Sequence, residues 1–231
     1  MANTIAHLAV AHSILERRPQ LVKHEDSFYL GNIAPDSIES KEGAVRDDKK
    51  HVHLRLGITD MEWLQPDKMA IFDQRLEEFI KDNLYKESDP QQRDFLIGYI
   101  VHLITDKINH GTVRLRMLRA LEPQGFEDGK WPFILHVLNE LEFLDAYLME
   151  SRPEVADIFY RLMEQPITNW LPGYIEKEYL EKSLIWWKNE YIPQIKEREA
   201  RIMAAQEIDE FVQLASDIII EQLDRILGES K

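Results

Sequence analysis

Phe95-Leu-Ile-Gly-Tyr-Ile-Val-His-Leu-Ile-Thr-Asp-Lys-Ile-Asn-His110 decides how this chain folds. Phe95, Leu96, Ile97, Tyr99, Ile100, Val101, Leu103 and Ile104 leave it almost no polar face, which predicts a helix buried nearly all round. His102, Asp106 and His110 stand at i, i+4 and i+8. At 3.6 residues per turn each step of four drifts only about 40° around the axis, so the three point broadly the same way. A buried carboxylate is normally paired or coordinates a metal. Two imidazoles and a carboxylate on one face are donors that a zinc-like ion takes. The alternative is an ordinary core in which the His and Asp hydrogen-bond each other.

Outward from this helix the pattern stays helical. Thr4 to Arg18 reads as a first helix, Lys68 to Leu84 as a second, and Asp89-Pro90 as the start of the central one. Trp131-Pro132 opens a helix running to about Glu150, and Arg152-Pro153 a shorter one. Pro172-Gly173 punctuates before Tyr174 to Tyr191, and the last helix runs from after Pro193 to about Leu227. Phe28 to Asp48, broken by Gly31-Asn32 and Ala34-Pro35-Asp36, reads as a loop. No alternating strand pattern is present. The expectation is one all-α domain over 1–231, with a metal-binding core over about 1–150 and a helical extension over about 151–231 that covers the core or builds a pocket wall.

Composition narrows the function. The chain has 231 residues, 44% of them hydrophobic and 30% charged, which is ordinary for a globular protein. With no Cys, thiolate zinc sites and thiol nucleophiles are excluded, so any metal rests on His, Asp and Glu. A formal net charge of −14 opposes passive attraction to nucleic acid or to an anionic membrane. No leader or membrane-spanning stretch is legible, and the longest apolar run is too short to cross a bilayer. A cytoplasmic location is the simplest expectation. The sequence sets no oligomeric state.

The remaining donors form an ordered series. His7 and His12 lie on an apolar first helix, about 140° apart, so they do not both face one point. A lone His there is also compatible with a satisfied core residue. Asp36 follows Pro35, where a turn or cap role is the plain alternative. His51 and His53 flank Val52, and in an extended stretch either is a candidate. His136 and Glu140 stand one helical turn apart on one face, while Glu142 and Asp145 read as solvated charges pointing elsewhere.

The series His, Asp, His, His-x3-Asp, His, His-x3-Glu resembles the zinc-dependent phospholipase C family and its relatives, the single-strand-specific zinc nucleases. Leu30-Gly-Asn-Ile-Ala-Pro-Asp-Ser37, Lys50-His-Val-His-Leu54 and Gly98-Tyr-Ile-Val-His-Leu-Ile-Thr-Asp106 carry the resemblance, over roughly residues 1–150. It implies an all-α fold around a trinuclear zinc cluster that cleaves phosphate esters. It assigns His7 to the third zinc, Asp36 to the cluster edge as general base, and His53 to the next ligand position. It pairs His102 with Asp106, Asp106 bridging two ions, and gives the remaining zinc to His136, Glu140 and His110. Two departures stand out. Family members complete the third zinc with a mature N-terminal Trp; here only Ala2, exposed if Met1 is removed, could supply that amine. The spacing from Asp106 to His110 is also shorter, so two zinc ions are the minimum and three the family pattern. Mn²⁺ and Fe²⁺ suit the same donors.

Phosphoester hydrolysis requires an activated water, charge neutralisation and help for the leaving group, all of which a carboxylate-bridged metal pair supplies. The resemblance implies a small phosphoester or phospholipid substrate, for which Trp63, Trp131, Trp170, Trp186 and Trp187 offer an apolar mouth or simply core packing. The alternatives are a single-strand nuclease or nucleotide phosphodiesterase, with long polymers disfavoured by charge, and a non-enzymatic domain with a closed structural metal site.

Overall fold

The computed structural model describes residues 3–127, 130–195 and 202–228. Among these the chain is all-α, with no strand beyond an isolated bridge between Leu171 and Ile175. The helices are α1 (Thr4–Arg17), α2 (Glu25–Ile33), α3 (Arg46–Val52), α4 (Pro66–Phe79), α5 (Pro90–Asn109) and α6 (Leu115–Leu121). They continue with α7 (Trp131–Ser151), α8 (Pro153–Leu162), α9 (Lys177–Trp186), α10 (Ile192–Ile195) and α11 (Ala205–Gly228). No helix among the described residues is long and apolar enough to cross a membrane.

α5 is the central helix that the sequence predicts. Asp89 caps it, its carboxylate accepting from the Gln91 and Gln92 amides at 2.8 and 3.0 Å, with Pro90 in the first turn. Its apolar residues from Phe95 to Ile104 are buried on every side. At His110 the helix widens into a π turn (His110–Arg114) and runs on into α6. Such one-turn insertions occur often at functional sites.

The segment after Phe28 differs from the loop expectation. Phe28 lies within α2, and Ala34–Ser40 is a 3₁₀ helix that begins with Pro35 in its first turn. Gly31 reads locally as a breaker, but here it answers a packing demand. A Cβ on Gly31 would stand 1.9 Å from the Phe95 carbonyl oxygen, and one on Gly98 would stand 1.9 Å from that of Phe28. The two glycines let the backbones of α2 and α5 meet directly. That crossing brings Asn32, Asp36 and His102 into one neighbourhood.

Candidate metal centre

Each donor is delivered by a different local device. His7, one turn into α1, is fully buried. Asp36 comes from the 3₁₀ helix, and His102 and Asp106 from α5. His53 follows directly on α3, where the chain turns sharply through Leu54 at φ 57°, a left-handed conformation unusual for a branched side chain. Arg75 holds that turn by donating to the carbonyls of Leu54 and Leu56 at 3.1 and 2.7 Å, and the Tyr99 hydroxyl donates to the Val52 carbonyl at 2.6 Å.

Two of the imidazoles have their protons fixed. His53 Nδ1 donates to the Lys49 carbonyl at 2.8 Å, and His102 Nδ1 to the Asn32 carbonyl at 2.7 Å. A carbonyl only accepts, so both Nδ1 atoms carry hydrogen, and the Nε2 atoms are the ones turned toward the centre. Those Nε2 atoms face each other across 3.2 Å. Burial, with His7 next in effect, holds the His102 imidazolium well below its usual range, so His102 Nε2 presents a lone pair.

The carboxylates surround this pair. Asp36 Oδ1 is 3.5 Å from His53 Nε2 and 3.3 Å from Lys49 Nζ. Burial pushes the Asp36 carboxyl up, but Lys49 and the bond with His53 outweigh it and hold the group well below the usual carboxylate range. Asp106 divides its two oxygens. Oδ1 lies 3.5 Å from His7 Nε2, whereas Oδ2 lies 3.7 Å from His53 Nε2 and 4.0 Å from His102 Nε2. For Asp106 too, burial is outweighed, here by His7 and neighbouring positive charge, and the carboxyl is held ionised. The rings of His7 and His102 stack at 3.7 Å, and neither nitrogen of His7 has a hydrogen-bond partner.

Imidazole nitrogens and carboxylate oxygens therefore converge from both sides in a largely buried site. Such a set is stable when a cation sits among it. Among the described residues, two groups have the spacing to hold a metal ion: His7, His102 and Asp106, and Asp36, His53 and His102. The residues present fit a divalent ion of the zinc type, with imidazole nitrogen and carboxylate oxygen as the only donors.

The other sequence-predicted donors lie elsewhere. His110 is buried beside Trp63, at 5.1 Å between ring centroids, with both nitrogens unpartnered. It lines the mouth of the centre without joining either group. His51 is exposed and stacks on Tyr174. His136 packs against Phe126, and Glu140 accepts from the Ile202 and Met203 amides at 3.1 Å each. The structure thus does not bring the His136-x3-Glu140 pair to the other donors, because α7 turns that edge toward the chain leading into α11. The Ala2 amine lies outside the described residues.

A cavity of about 440 Å³ opens on the centre. Asp36 and His110 lie at its polar end with Lys49, while Val137, Leu138 and Leu141 of α7 and Trp186 of α9 form an apolar wall. The reading of Glu142 and Asp145 as solvated charges is corrected. Glu142 lines this cavity, and Asp145 is fully buried. Asp145 shares a helical face with Leu141, Leu144 and Leu148, a spacing that marks it as inward-facing in the sequence itself.

Comparison with known families places this geometry. The zinc-dependent phospholipase C family matches residues 4–181, and the chain belongs to that family. The match runs beyond the hallmark segments to the middle of α9. No curated protein and no solved structure gives a match. Family membership and the buried donor groups support a zinc-dependent hydrolase.

Proposed function

We propose that the chain is a phosphoester hydrolase holding two zinc ions, one among Asp36, His53, His102 and Asp106 Oδ2, the other at His7 and Asp106 Oδ1. The observation that carries the reading is the convergence of His53 Nε2 and His102 Nε2, 3.2 Å apart, on the Asp36 and Asp106 carboxylates. When bound, such a metal pair supplies Lewis acidity toward the phosphoryl group and lowers the pKa of water. Asp106, whose Oδ1 faces His7 and whose Oδ2 faces His53 and His102, would hold an ion on either side. Asp36, kept ionised by Lys49 at the polar end of the cavity, takes the proton of the attacking water. His110 stands neutral at the mouth, because burial and the nearby Arg55 hold its imidazolium well below the usual range. We leave His136 and Glu140 out of the set, since they are engaged elsewhere.

The apolar wall of Val137, Leu138, Leu141 and Trp186 favours a leaving group with hydrocarbon character, and so a phospholipid over a nucleic acid. The net charge of −14 points the same way. Lack of Cys fits a reducing compartment, and we take the cytoplasm as the location. Hydrolysis of a short-chain phosphatidylcholine, a single-stranded oligonucleotide and a chromogenic phosphodiester, each with and without chelator, tests the reading. We expect chelator-sensitive turnover with the lipid preferred. Preference for the oligonucleotide selects the nuclease reading, and no turnover by zinc-loaded protein selects a structural metal site.

A further inference from the structure

Asn3, the residue before α1, is of a type that commonly caps a helix, yet its side chain makes no cap here. It donates instead to the Tyr191 hydroxyl at 2.9 Å. The amides of the first turn are satisfied from far away in sequence. Asp145 of α7 accepts from Ile5 N with Oδ2 at 3.1 Å and from Ala6 N with Oδ1 at 3.0 Å. Tyr191 completes the set by donating its hydroxyl to Asp145 Oδ2 at 2.9 Å. Ile5, Ala6, Asp145 and Tyr191 are buried, and His7 is the next residue along the chain from Ala6.

We infer that Asp145 and Tyr191 are positioning residues for the His7 side of the metal centre, the carboxylate fixing the N-terminus of α1 and the tyrosine fixing the carboxylate. The inference rests on the reading of His7 as a zinc ligand. α1 is apolar on nearly every face, so packing alone leaves its rotation and axial position loosely specified. Two hydrogen bonds to successive amides from one carboxylate set both, and a shift of one ångström at Ala6 carries His7 Nε2 away from Asp106 Oδ1. When ionised, the carboxylate also places negative charge at the positive end of the helix dipole. Burial pushes the Asp145 carboxyl up to about 7, against the pull of its three donors. Tyr191 ends the π turn Trp187–Tyr191, beyond the region matched by the family at 4–181. The inference thus assigns this part of the helical extension a task at the metal centre as well as in the cavity wall.

The test uses the full chain, stripped of metal and titrated with Zn²⁺ against a competing chelator. Wild type is compared with His7→Ala, His53→Ala, Asp145→Asn and Tyr191→Phe. Asparagine keeps the shape of the cap but sets an NH₂ group against one backbone N–H; Tyr191→Phe removes a single hydroxyl and preserves packing. Both variants are expected to weaken the binding step that His7→Ala removes by about 10–100-fold, the scale of second-sphere metal partners. The step removed by His53→Ala should stay within about twofold of wild type, a factor worth only about 0.4 kcal/mol at 1.4 kcal/mol per tenfold. Co²⁺ in place of zinc should give both variants the altered visible spectrum of His7→Ala. Wild-type affinity and stoichiometry in folded Tyr191→Phe and Asp145→Asn would overturn the inference. So would equal weakening of both steps, which marks a cap that supports the fold alone. If Asp145→Asn does not fold, Tyr191→Phe decides by the same criteria. Failure of wild type to bind any zinc overturns the metal centre itself, and this inference with it.

Discussion

At the scale of single residues, the site turns on which nitrogen carries a proton. Lys49 and Asn32 contribute only their carbonyls to His53 and His102, yet those two bonds aim both Nε2 atoms inward. This separates His53 from its neighbour His51, which the sequence alone leaves as equal candidates. His51→Ala is expected to bind zinc as wild type does, because the ring stacks on Tyr174 away from the centre. His53→Ala should lose more than about tenfold in affinity, since even outer partners of a metal ligand are worth about 10–100-fold. Zinc titration of the two variants checks this, and equal affinities would remove His53 from the site. That His102 and Asp106 need partners was legible because polar groups in an apolar run are rarely left alone, whereas His7 and Asp36 joined them only through the family resemblance. His136-x3-Glu140 has the same local spacing but a different destination, which the helix pattern alone does not encode. Asp145 was hidden by the opposite error, a charged residue taken as solvated although its face is otherwise leucine.

At the scale of elements, the crossing of α2 and α5 sets the geometry. Asn32 belongs to one helix and His102 to the other, so their 2.7 Å bond depends on how closely the backbones approach. Gly98→Ala would put a Cβ 1.9 Å from the Phe28 carbonyl oxygen, an atom that no rotamer change can move. Overpacking of this kind costs about 3 kcal/mol, or roughly 6–12 °C in Tm for a chain of this size. Zinc affinity should fall with it as the helices separate. Gly111→Ala is the control, since its added Cβ meets nothing within 4 Å. Thermal melts and zinc titration of the two variants give the comparison, and a stable, zinc-binding Gly98→Ala would disprove the role of the crossing. The central helix, its Asp89 cap and most other helices were legible from apolar period and punctuation. α2 was not, because a glycine needed for close approach looks in sequence like a glycine needed for a turn.

At the scale of the whole molecule, the donors tie together segments that local structure does not join. His7 lies on α1, Asp36 on the 3₁₀ helix, His53 after α3, and His102 and Asp106 on α5. Two carboxylates and three imidazoles brought together in this way favour a cation among them. Any ion that binds the native state and not the unfolded chain adds RT ln(1 + [L]/Kd), about 2.7 kcal/mol at one hundred times Kd. At roughly 2–4 °C per kcal/mol for a chain of this length, that is a rise in Tm of about 5–10 °C. Thermal unfolding should therefore shift down by that amount in chelator and return on adding zinc. Asp106→Ala should abolish most of the zinc-dependent rise, because each of its oxygens serves a different side of the centre. In chelator the variant should melt below chelated wild type, since the groups that hold the Asp106 carboxyl ionised also stabilise the folded state above the usual carboxylate range. A Tm in wild type that ignores both chelator and zinc would mean that these residues form a satisfied polar core without a metal. A zinc-dependent rise that survives in full in Asp106→Ala would mean that the ion binds without the bridge.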